Sequence, residues 1–170
     1  MKRMIYADNA ATTKLDPLVF EAMRPYFIEE YANPSQPYSF ARRVKLALKT
    51  AREKISACIG ADPEEIYFTS GGTESNNWVI KVIRDADSVN RSILTTAFEH
   101  HAVLNACHAI EQKGHSVFYL SPNSSGHIEK EGLLQAMASK PVMLFSIMMV
   151  NNELGTIQDI AVLANISHAY

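Results

Sequence analysis

Apolar residues along the chain recur first at helical spacing and later gather into short continuous runs. Asp16-Pro17 predicts the start of a helix, with a capping carboxylate and proline at the first helical position. Leu18, Phe20, Met23 and Phe27 carry that helix toward Tyr31. After the break Asn33-Pro34-Ser35-Gln36-Pro37, an amphipathic segment runs from about Ser39 to Ile59 on Val44, Leu46, Leu48, Ile55 and Ile59. Arg42, Arg43, Lys45, Lys49, Arg52 and Lys54 share it, and a solvated helix face is the simplest reading of that basic cluster.

From Glu65 a unit repeats. EIYFTS, SILTTAF, SVFYL and PVMLFSIMMV read as strands, each followed by a polar turn and a helical pattern. The helices are expected at about Glu74 to Arg84, up to Lys113-Gly114, near Lys130 to Ser139, and from about Ile160 to Tyr170. Apolar strands alternating with helices predict an α/β fold with a mainly parallel sheet covered on both faces. The pattern runs to Tyr170 without a closing strand, so either a partner or further chain is expected to cover the sheet.

Composition narrows the class. The 170 residues are 47% hydrophobic, enough for a sizeable core, and the net charge of −2 supplies no basic field for nucleic acid or an anionic membrane. No apolar run approaches the roughly 20 residues of a membrane span. The start, MKRMIYADNAATT, lacks the apolar stretch of a signal peptide, so a cytoplasmic protein is expected. Cys58 and Cys107 both fall in helical patterns and are expected to be ordinary, largely buried thiols.

Parallel strands deliver their following turns to one rim, where open α/β sheets bind ligands. Three turns here are unusually polar. SGGTESNN places two glycines before a helix, a setting in which backbone N–H groups face an anion and Ser70 and Thr73 add hydroxyls. The lysine of a nucleotide-triphosphate loop is absent, so a single phosphate group fits better; a capped helix start explains the spacing equally well. EHHAV sets His100 and His101 just past a strand. His108 and His115 follow at seven-residue steps, yet nothing completes a metal-ligand set, and no metal is expected. One imidazole at the rim can stack on a planar ligand or move a proton, or simply hold a turn. NNELG, with Gln158 beyond it, offers amides able to bind a phenolate or carboxylate oxygen, although asparagine and glycine are also ordinary turn formers.

Five ordered motifs, YADNAATT, Asn33-Pro34-Ser35, FTSGGTESNN, EHHAV and VNNELGTIQ, closely resemble the N-terminal part of cysteine desulfurases of the NifS/IscS type. These are pyridoxal-phosphate enzymes of fold type I in the class V aminotransferase superfamily. The resemblance implies that residues 1–170 form an N-terminal segment plus the first part of the cofactor-binding large domain, with a small C-terminal domain beyond. It implies that Thr73 and the Gly71-Gly72 backbone hold the cofactor phosphate. His100 would stack on the pyridine ring and assist proton transfer. Asn152 would lie near the phenolic oxygen and the substrate carboxylate, with Asn33 also on the substrate side. L-cysteine is the implied substrate, a homodimer or a complementing C-terminal chain the implied assembly, and a sulfur-accepting protein a further partner.

The departures are specific. Tyr38, Ala41 and Asp159 stand where the family often has histidine, glycine and proline. The Ser-x-His-Lys motif with the cofactor-tethering lysine, the aspartate for the pyridine nitrogen and the persulfide-forming cysteine do not occur in these residues, and Cys58 and Cys107 match no such motif. The chain is thus expected to carry half of an active site and to be inactive alone. A selenocysteine lyase, another class V aminotransferase, or a non-catalytic chain acting through a partner are the alternatives.

Overall fold

The computed structural model describes residues 4–86, 89 and 91–170, apart from the side chains of Ile83, Arg84 and Ala86. Two compact units divide at Phe68 and Thr69.

In the first unit, α1 (Pro17–Ile28) begins where expected, with the Asp16 carboxylate accepting the Leu18 N–H at 2.7 Å. A single 3-10 turn (Ser39–Ala41) feeds α2 (Arg42–Ile59), which stops at Gly60 in the left-handed conformation that glycine adopts without strain. Arg42, Arg43, Lys45, Lys49 and Lys54 are exposed, as a solvated face requires. Arg52 differs: its Nε donates to the Ile66 carbonyl at 3.1 Å and its guanidinium lies over the Phe68 ring. The apolar positions of α2 do not form a core, since Leu46, Ile55 and Ile59 are exposed and Ala32, Ala41 and Ser56 are the buried residues described in this unit. Cys58 is exposed as well, against expectation, because its part of α2 faces no packed layer described within the unit.

The second unit contains α3 (Gly72–Ala86), β1 (Ser92–Thr96), α4 (His101–Glu111), β2 (Val117–Leu120), α5 (Lys130–Ser139), β3 (Val142–Phe145) and α6 (Ile160–His168). The sheet order is β2-β1-β3, with both pairings parallel, so β1 is central. Successive residues of β1 face opposite sides. Ile93 joins Ile80, Val103, Ala106, Cys107 and Ile110 on the side of α3 and α4. Leu94 joins Ile128, Leu133, Met137 and Leu163 on the side of α5 and α6. This helix–sheet–helix arrangement is the α/β architecture that the alternating pattern predicts.

One expected strand is missing. EIYFTS pairs with no strand among the described residues: its first residue, Glu65, ends a 3-10 turn and Tyr67 and Phe68 are exposed. An apolar run becomes a strand only when a neighbouring edge accepts its backbone groups, and the Ile66 carbonyl instead takes the Arg52 side chain. The run from Pro141 also shortens to β3, after which the chain turns through a lone antiparallel bridge, Val150 with Ile157.

Candidate functional site

All three strands end at one rim, with Thr96, Leu120 and Phe145 as their last residues. Helix α3 runs back toward the start of β1, so its own N-terminus lies at that same rim. The structure therefore brings together the turns carrying Gly71, Gly72 and Thr73, His100 and Asn152. Asn33 belongs to the first unit, where its Oδ1 accepts the Ser35 N–H at 2.9 Å.

The first intrahelical bond of α3 that closes on the turn runs from the Ser75 N–H to the Gly71 carbonyl at 3.1 Å. The N–H groups of Gly72, Thr73 and Glu74 precede it and, as first-turn donors, have no acceptor within the helix. Neither Gly71 nor Gly72 has positive φ, and a Cβ added to either would meet nothing within 4 Å. The fold therefore does not need glycine at these positions for a bend. A side chain at either position would project into open space. Ser70, in contrast, is not a free donor: its N–H and Oγ both bond the Glu74 carboxylate, at 2.7 and 2.6 Å. Those two bonds hold the Glu74 carboxyl below its ordinary range.

His100 caps α4. Its Nδ1 accepts the Ala102 N–H at 3.0 Å, which fixes that nitrogen as the unprotonated one. The neutral ring then carries its proton on Nε2, the nitrogen left to face outward from an exposed side chain. His101 is the first residue of α4, its ring 6.4 Å from that of His100. His108 is committed elsewhere, to Glu111 at 2.9 Å, and Tyr119 donates to the same carboxylate. Burial, followed by that carboxylate, pushes the Tyr119 phenol up. Among the described residues no group of three or more His, Cys, Asp or Glu is placed to hold a metal ion.

The third turn is built by Asn151. Its N–H donates to the Thr156 carbonyl, its carbonyl accepts the Gly155 N–H, and its Oδ1 accepts the N–H groups of Glu153 and Leu154 at 2.9 and 2.8 Å. Gly155 takes the left-handed conformation that closes the loop. Asn152 is left exposed at the tip. Gln158, which the sequence groups with this turn as a candidate amide, is buried and bonded at both ends of its amide: Oε1 accepts the Ile128 N–H at 2.9 Å and Nε2 donates to the Gly126 carbonyl at 2.8 Å.

Sequence reasoning passed over the residues that organise these turns. Asn77 donates from α3 to the Thr73 and Ala102 carbonyls, tying the phosphate-type turn to the His100 turn. Glu99 is 7% exposed and accepts from the Thr96 hydroxyl and the Met148 N–H, both at 2.8 Å. Burial pushes its carboxyl above the ordinary range, with those two bonds acting in the opposite direction. The signal available in the sequence was an acidic residue directly after an apolar strand.

Cysteine desulfurase IscS of Dictyoglomus turgidum is 46% identical over 171 residues, covering 100% of this chain and 43% of the relative. A cysteine desulfurase of Nostoc is 46% identical over 154 residues, 91% of this chain and 38% of the relative. Among solved structures, a NifS-like protein superposes with a TM-score of 0.91 at 37% identity, covering 95% of this chain and 44% of that one. SspA in complex with cysteine superposes with a TM-score of 0.87 at 37% identity, covering 96% and 47%. The chain thus spans less than half the length of these relatives. Residues 5–170 match the class-V aminotransferase family, and the chain belongs to it.

Proposed function

We propose that this chain is the N-terminal part of a pyridoxal-phosphate-dependent cysteine desulfurase. The reaction would take L-cysteine and an enzyme thiol to L-alanine and an enzyme persulfide. The carbon–sulfur bond of the substrate breaks, the sulfur joins the enzyme sulfur, and a proton takes its place on carbon. The observation that supports the reading best is that the first-turn donors of α3, at the uncrowded Gly71-Gly72 pair, share one rim with His100 and Asn152.

The residues present fit a monophosphate. The N–H groups of Gly72, Thr73 and Glu74, with the Thr73 hydroxyl, supply donors at the positive end of a 15-residue helix, and no lysine or metal is needed for one phosphate group. When bound, pyridoxal phosphate supplies an electron sink for charge developing on the substrate carbon. His100, held by its Nδ1 cap, presents its ring face to a planar ligand and holds or moves a proton at Nε2. Asn152 offers an amide to a phenolic or carboxylate oxygen without adding charge. On this reading the tethering lysine and the sulfur-accepting cysteine are supplied from outside residues 1–170, since Cys107 is buried with its thiol pushed up to about 11 and Cys58 has none of the expected motif around it. The family resemblance further suggests a cytoplasmic homodimer with a sulfur-accepting partner, and the name IscS among the relatives agrees with a role in iron–sulfur cluster assembly.

Titration of the chain with pyridoxal 5′-phosphate, read by its absorbance and by the single tryptophan, Trp78 of α3, tests the reading. Saturable binding is expected. Thr73→Ala should weaken it about tenfold or more, as loss of one or two charge-assisted bonds of about 1.5–3 kcal/mol each requires. Identical affinity in wild type and Thr73→Ala would remove the phosphate assignment. Sulfide release from L-cysteine by the chain alone would contradict the placement of the missing groups.

A further inference from the structure

Glu99 and Asn151 each stand immediately before a residue to which the reading above gives a role, and both are buried. Their side chains cross between the same two segments in opposite directions. Glu99, from the turn after β1, accepts the Met148 N–H at 2.8 Å in the segment after β3. Asn151, from that segment, donates Nδ2 to the Phe98 carbonyl at 2.9 Å in the turn after β1. Each strap residue is also anchored at home: Glu99 by the Thr96 hydroxyl, Asn151 by the N–H groups of Glu153 and Leu154.

A carboxylate is a costly group to bury without a cation, and its two partners on Oε1 are a hydroxyl and an amide. An apolar side chain would fill the same space with less desolvation. What it would not supply is a directional bond to Met148 that fixes one turn against the other. Two crossed bonds fix the relative position of two segments far better than one, since a single bond leaves rotation about itself.

We infer that Glu99 and Asn151 are positioning residues whose crossed straps set the spacing of His100 and Asn152, and so the match of that pair to one planar ligand. The inference rests on the roles proposed above for His100 and Asn152. Neither strap contacts the phosphate turn at the start of α3, whose tie to the His100 turn runs through Asn77 instead, so the two ligands read the straps and the phosphate turn separately.

The test compares wild type, Glu99→Ala, Glu99→Gln and Asn151→Asp in the full chain. Backbone amide spectra are recorded without ligand, followed by titrations with pyridoxal 5′-phosphate and, separately, inorganic phosphate. Glu99→Ala should move amide resonances on both sides, in 97–101 and in 148–154. It should weaken pyridoxal phosphate about tenfold while leaving inorganic phosphate within about twofold. Glu99→Gln keeps the accepting oxygen and should restore both readouts. Asn151→Asp keeps Oδ1 for its own turn but loses the donor to Phe98, so it should reproduce the selective loss even where Glu99→Ala fails to fold. Equal weakening of both ligands, or amide changes confined to 97–101, overturns the inference. If wild type binds neither ligand, the cofactor reading falls by itself, and the ligand-free spectra still decide whether the straps couple the two turns.

Discussion

Asn77 donates its Nδ2 to the carbonyl of Ala102, 3.4 Å away across the gap between α3 and α4, while holding the Thr73 carbonyl of its own helix at 2.9 Å. One amide thus joins the first turns of two helices whose N-termini carry the candidate phosphate donors and the His100 cap. Both bonds need a donor at this position. Asn77→Ala should lower stability by about 1–2 kcal/mol in urea denaturation. Asn77→Asp, although isosteric, presents a carboxylate to two carbonyl oxygens and should be at least as costly. A fully stable Asn77→Asp would show that these bonds do not hold the helices together.

The Gln158 amide closes a second connection, to the turn before α5. Gln158→Ala leaves the Ile128 N–H buried without a partner and should cost about 1–3 kcal/mol. In the same turn, Gly126 has φ +80°, and a Cβ there would come within 2.7 Å of the Thr156 methyl. Gly126→Ala should therefore destabilise through both strain and overlap, and adding Thr156→Ser should recover the overlap part only. Thermal unfolding of the single and double variants separates the two contributions.

The Thr156 hydroxyl is buried and has no hydrogen-bond partner among the described residues. Thr156→Val keeps the methyl contact and removes the unpaired oxygen, so it should leave stability unchanged or raise it by up to about 1 kcal/mol. A clear loss in the unfolding midpoint would reveal a partner for that oxygen.

Glu99 titrates with a raised value in the folded chain because burial disfavours its charge. The folded state therefore binds its proton more readily than the unfolded state does. The stability this contributes is complete below the ordinary carboxylate range and is lost as pH rises through the raised value. Glu99→Gln does not titrate, so its stability relative to wild type should increase as pH rises from the ordinary carboxylate range through the raised value. A difference that stays constant, or shrinks, over that range would contradict the assignment.

Cys107 is buried beside Ile93 and Ile80, and desolvation first, then the charges of Glu111 and Glu99, push its thiol up to about 11. At about pH 8 roughly a thousandth of it is thiolate. Alkylation of the native chain should modify exposed Cys58 promptly and reach Cys107 only after denaturant is added. Mass analysis of the digested product reads this directly.

Helices and central strands were legible because their signals are local. Asp16-Pro17, the strand SILTTAF and the helix from Lys130 all lie where periodicity puts them. EIYFTS failed because an apolar run does not reveal whether an edge is available to pair with it. The exposure of Leu46 and Ile59 failed for the same reason: amphipathicity marks a face that packs well, not what packs on it. At the rim, Thr73, His100 and Asn152 were readable as candidates. Glu99 and Asn77 were not, and Asn151 only as a candidate amide, because the partners Met148, Ala102 and Phe98 lie on other elements and only the fold brings them within bonding distance. The glycines of FTSGGTESNN were readable as a pair but not in purpose, since only the observed φ values separate a bend from open space.

The central place of β1 also bears on how the unit assembles. β1 precedes both of its neighbours in the chain, so during synthesis Ile93 is available before Val117 and Leu144, the residues it eventually faces. Each later strand docks onto a template already made, and neither has to insert between two others. The pairing with β3 closes the longer loop and so carries the larger entropic cost. The rate at which this unit reaches its final state should therefore follow substitutions along β3 and its contacts more closely than those along β2.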